Sequence, residues 1–111
     1  MKIEIGEALQ QGDVFICKVE KLPEGLKKSD YIGGRIVLAE GESHGHAHAI
    51  ADIDSATMFI DGAGNKFLEI SAPVTIRHEE HSAFTIDTGV YAINIIQEFD
   101  HFAQEARNVR D

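Results

Sequence analysis

The sequence predicts an all-β domain, a small antiparallel barrel or jelly roll, on three observations. Short runs rich in β-branched and aromatic residues recur along the chain, about eight of them. Glycine and other turn residues separate most of these runs at regular spacing, as in Asp61-Gly62-Ala63-Gly64-Asn65. Apolar residues at helical spacing are confined to the end of the chain. Many short alternating strands punctuated by turns bury their apolar faces most readily in a closed or sandwiched antiparallel sheet.

In order, Lys2-Ile3-Glu4-Ile5 alternates and predicts a short edge strand. Gln11-Gly12-Asp13 marks a turn, and Val14 to Glu20 follows as a strand that is apolar on both faces at its start. Residues 22–34, with Pro23, Gly25, Gly33 and Gly34, form the longest loop, with Tyr31-Ile32 as an apolar anchor. Arg35 to Glu40 is the next strand. His46 to Ile53 continues extended, with small Ala47, Ala49 and Ala51 opposite His46, His48 and Ile50. Thr57–Ile60 and Lys66–Ile70 flank the 61–65 turn as a hairpin. Pro73 ends that strand and Val74 to His78 alternates again. Phe84–Asp87, a Thr88-Gly89 turn and Val90–Phe99 read as a second hairpin. Phe99, Phe102, Ala103, Ala106 and Val109 then fall at helical spacing behind Asp100, the pattern of a short C-terminal helix that would need docking to persist.

The 111 residues fit a single β domain spanning 1–111, and 43% hydrophobic residues spread throughout exclude a disordered chain. No apolar run approaches the roughly 20 residues of a membrane span. The start, Met1-Lys2-Ile3-Glu4, lacks a signal-peptide core, so the expectation is a cytoplasmic protein with no membrane partner. Cys17 is the sole cysteine, which excludes an internal disulfide and a cysteine-rich zinc ribbon; among Phe15, Ile16 and Val19 it reads as a buried structural thiol. A formal charge of −9, without a basic stripe, disfavours nucleic acid. Ile93, Ile95, Phe99 and Phe102 offer more apolar surface than a small barrel covers, which predicts a homodimer.

Five of the six histidines lie in two short pieces, Ser43-His44-Gly45-His46-Ala47-His48 and His78-Glu79-Glu80-His81. On a strand, His44, His46 and His48 project from one face about 7 Å apart. Neutral imidazole donates a nitrogen lone pair, so such a row suits a divalent transition metal such as zinc, iron or nickel. His44 is the weakest member, because Gly45 can break the strand. The second piece is not the zinc-protease pattern, which needs its histidines four apart on a helix. With a spacing of three, His78 and His81 share a side only if the chain bends between them. Glu79 or Glu80 is then a ligand or a partner that orients an imidazole. The sharpest expectation is that His46 and His48 are ligands, joined by at least one of His78 and His81. No nucleophile elbow or phosphate-cradling loop occurs.

A His-x-His pair, an intervening hairpin and a later histidine ahead of a glycine turn resemble the cupins over roughly residues 41–98. That resemblance implies a metal held inside a small jelly roll, in a cupin-like metal-dependent enzyme with a small-molecule ligand. His46 and His48 match the pair, Asp52 stands where the family's glutamate falls, and His78 or His81 matches the later histidine. The cupin Pro-x-Gly before that histidine is absent here. The chain also resembles small uncharacterised bacterial and phage proteins over almost its whole length. The shared features are Gln11-Gly12-Asp13-Val14, Leu38 to Glu42 leading into Gly45-His46-Ala47-His48, His78-Glu79-Glu80-His81, Gly89-Val90-Tyr91 and the tail from Glu98 to Asp111. This second likeness implies no activity. Two function classes follow: a metal-dependent enzyme, and a non-enzymatic binding or assembly module, phage- or mobile-element-associated, whose histidines are structural.

Overall fold

The computed structural model describes residues 3–31, 34–40, 47–79 and 81–95. Among them the alternating runs become ten strands: β1 (Ala8–Gln11), β2 (Val14–Val19), β3 (Lys27–Lys28), β4 (Ile36–Glu40), β5 (Ala47–Ile50), β6 (Ala56–Ile60), β7 (Lys66–Ile70), β8 (Val74–Arg77), β9 (Phe84–Ile86) and β10 (Gly89–Ile95). A single 3-10 turn, Ile53–Ser55, precedes β6. No described helix is long and apolar enough to cross a membrane.

The strands form two antiparallel sheets, one of six in the order β1-β2-β10-β7-β6-β3 and one of four in the order β4-β5-β8-β9. Strand phase explains the core between them. Val14 and Ile16 of β2, Leu68 and Ile70 of β7, and Tyr91 and Ile93 of β10 face inward from the larger sheet. Ile36 and Leu38 of β4, Ile50 of β5, Val74 and Ile76 of β8 and Ile86 of β9 join the same cluster from the smaller one. Each such aliphatic side chain contributes about 1.5–3 kcal/mol on burial. A register shift between Val37 and Ala39 turns both Leu38 and Ala39 into this core. The Leu38 carbonyl is met by the Lys66 ammonium of β7, which donates to it at 2.9 Å. Ala47 and Ala49 are buried with Val37 in a separate small cluster, so the small face expected there is a packed one.

Several expectations are corrected. The described strands divide into two sheets and do not close into a barrel. Residues 4–7 turn back onto β2, through the Gly6 amide on the Lys18 carbonyl and the Lys18 amide on the Glu7 carbonyl, so no edge strand forms over Ile3–Ile5. The 22–34 loop contains β3, whose two exposed lysines pair with Ile60 and Phe59 at the sheet edge, where charge discourages a further strand. Tyr31 is exposed. Cys17 is half-buried rather than buried, because Val14 and Ile16 hold the inward phase of β2.

The second expected hairpin does not exist. β9 pairs with β8 in the smaller sheet, while β10 crosses to lie between β2 and β7. The Tyr91 hydroxyl donates to the Asp87 carbonyl at 2.7 Å and pins this crossing. The 61–65 hairpin is present as read, with Ile60 opposite Lys66. Ile93, expected to drive dimerisation, lies in the chain's own core, and Ile95 packs against it. Phe99, Phe102 and the expected C-terminal helix lie outside the described residues.

Candidate metal centre

Pairing of β5 with β8 places Ala49 opposite Arg77 and Ile50 opposite Ile76. One step further in that register sets His78 opposite His48, and directly opposed side chains on one face meet. Their ring centroids are 4.3 Å apart. The chain bends at Glu79 and again at His81. The His81 ring thereby lies 4.6 Å from that of His78 and 6.0 Å from that of His48, nearly parallel to the latter at 12°. The three rings grade from buried to open: His48 is 1% exposed, His78 is half-buried and His81 is exposed.

Gln11 and His48 are the two buried polar side chains among the described residues. A buried polar group without a partner is costly, and each satisfies the other. The Gln11 amide nitrogen donates to the Ile76 carbonyl at 3.0 Å and to the Ser82 carbonyl at 2.9 Å. Those two bonds use both amide hydrogens and leave Oε1 as the atom 2.8 Å from His48 Nδ1. An amide oxygen only accepts, so Nδ1 carries the proton and Nε2 keeps its lone pair. The β1–β2 turn of the larger sheet thus sets the tautomer of a histidine on the smaller one.

The rest of that turn also faces the cluster. Asp13 Oδ1 lies 3.4 Å from His48 Nε2. Gly12 has φ +60, and a Cβ there would stand 2.7 Å from His81 Nε2 and 3.2 Å from His48 Cε1. Only glycine both adopts that backbone and leaves that space. Burial holds the His48 imidazole below its ordinary pKa, the His78 and His81 rings lower it further, and the Asp13 carboxylate opposes them. His48 is therefore neutral at pH 7, the state a metal requires.

Of the remaining expected site residues, Glu79 accepts the Ala47 amide on Oε1 at 2.9 Å, which ties the bend to the start of β5. Asp52 accepts the Thr75 amide at 3.3 Å from an exposed position. His44, His46 and Glu80 lie outside the described residues. Among the described residues, no group of three or more His, Cys, Asp or Glu side chains is arranged to hold a metal ion. The imidazoles meet ring to ring.

Sequence reasoning took Gln11-Gly12-Asp13 as a turn alone.

A family model described as a domain of unknown function, DUF8820, matches residues 10–96, and the chain belongs to that family. No curated protein and no solved structure matches the chain.

Proposed function

We propose that this member of the DUF8820 family binds a divalent transition metal, zinc, iron or nickel, at the histidine cluster. One observation carries the reading: three imidazoles gather at one end of the two sheets around a neutral His48 whose Nε2 lone pair is held ready. Two imidazoles on one tetrahedral ion have ring centroids roughly 5 Å apart, given metal–nitrogen bonds of about 2.1 Å. The three separations, 4.3, 4.6 and 6.0 Å, bracket that value. His48 is fixed by Gln11, with the half-buried His78 and the exposed His81 grouped against it. His46, two residues before His48, is the sequence's candidate for a further ligand.

The exposed side of the cluster supports an open coordination position, as a metal-dependent enzyme needs to activate water or a substrate carbonyl. The near-parallel His48–His81 rings instead favour a non-enzymatic binding or assembly module with structural histidines. Metal analysis of the full chain, purified without a histidine tag, separates these readings. About one ion per chain is expected, lost in His48→Ala and retained in His101→Ala. Absence of bound metal, with no uptake of added zinc, would leave the structural reading standing.

A further inference from the structure

We infer that Asp13 is an oxygen ligand of this metal centre, held beside His48 by the Gln11-Gly12-Asp13 turn. This rests on the reading of the cluster as a metal site and goes beyond it by adding a carboxylate from the other sheet. With Nδ1 protonated toward Gln11 Oε1, the Nε2 atom facing Asp13 carries a lone pair, and a carboxylate oxygen is also an acceptor. Both atoms can bind a cation, and at 3.4 Å they are close enough to share one.

The spacing suits a metal ion shared by the two atoms. A charge-assisted N–H···O bond spans about 2.7–2.9 Å, so 3.4 Å is long for one. Nitrogen and oxygen donors about 2.1 Å from one tetrahedral ion are separated by roughly 3.4 Å, the distance observed. The Asp13 side chain is 37% exposed, so its carboxylate is solvated and available from the open side. Glu79, by contrast, has Oε1 committed to the Ala47 amide. A mixed imidazole–carboxylate set takes a divalent first-row ion such as Zn²⁺ or Fe²⁺ in preference to Cu⁺, which favours thiolate and thioether donors. Gln11 is then a positioning residue, acting through His48.

Calorimetric titration of the full, tag-free chain with ZnCl₂, alongside visible spectra with CoCl₂, tests this. Loss of a partner that only orients a ligand weakens metal affinity about 10–100-fold. Asp13→Asn, near-isosteric and at a partly exposed position, should weaken Zn²⁺ binding at least that much and change the Co²⁺ spectrum, because a donor atom is replaced. Gln11→Leu should weaken binding while leaving the spectrum of the loaded protein unchanged. Asp13→Ser provides a second variant, with circular dichroism confirming the fold of each. Unchanged Zn²⁺ affinity in both Asp13 variants, with binding lost in His48→Ala, overturns the Asp13 assignment and leaves the histidine site intact. No binding by the wild-type chain overturns both.

Discussion

Two glycine-containing turns in this molecule look alike in sequence and differ in what their polar groups do. In the 61–65 turn, Asp61 accepts the amides of Ala63 and Asn65 and the side-chain amide of Asn65, all within the loop. In the 11–13 turn, Gln11 reaches across to the Ile76 and Ser82 carbonyls and to His48, while Asp13 faces the same ring. A turn that satisfies itself only connects strands. A turn that spends its polar groups on the opposite sheet fixes the side chain it meets there, here His48.

The comparison predicts unequal responses to mutation. Gln11→Leu should be the most damaging, because it leaves the buried His48 Nδ1–H without its partner and removes the hydrogen bonds to the Ile76 and Ser82 carbonyls. The orphaned donor costs about 1–3 kcal/mol and each lost hydrogen bond about 0.5–1.5, so chemical denaturation should register a loss of about 4 kcal/mol. Gly12→Ala comes next. Left-handed backbone strain and contact with the fixed His48 ring should cost about 2 kcal/mol, and the exposed His81 should be driven aside, abolishing metal uptake. Gly64→Ala is the matched control: its φ is +88, but no atom lies within 4 Å of the added Cβ. Backbone strain alone should cost about 1 kcal/mol and leave metal binding untouched. Equal losses at Gly12 and Gly64 would erase the distinction between the turns.

The smallest effect is on pH, since Asp13 partly offsets the burial of His48. The native pKa of His48 lies below its ordinary value of 6.5. As pH falls past that ordinary value, the unfolded chain takes up the proton first and binds more protons than the native one. Stability should therefore decline from about pH 6.5 down through the lowered native pKa and level off below it. Urea midpoints of metal-free wild-type protein should show this decline relative to His48→Asn, with no difference in slope above pH 7.

The strands were largely legible because each apolar phase is local: Val14 and Ile16, or Leu68 and Ile70, declare their inward face by alternation alone. The period-two histidines likewise pointed to His48, and the expected bend after His78 does bring His81 beside it. Long-range pairing was not legible. Nothing near Thr88-Gly89 states that β10 leaves the smaller sheet, because its partners Val14–Val19 and Lys66–Ile70 lie far away in sequence. The roles of Gln11 and Asp13 were hidden for the same reason. Gln11 contacts Ile76 and His48, residues 65 and 37 positions away, and a turn motif read locally carries no trace of that contact.

The most direct test is anomalous diffraction at the zinc edge from crystals of the tag-free chain grown with ZnCl₂. The account predicts one strong peak about 2.1 Å from His48 Nε2, on the side facing Asp13. A zinc-loaded crystal with no peak at His48, or with zinc bound only at histidines elsewhere, would contradict it.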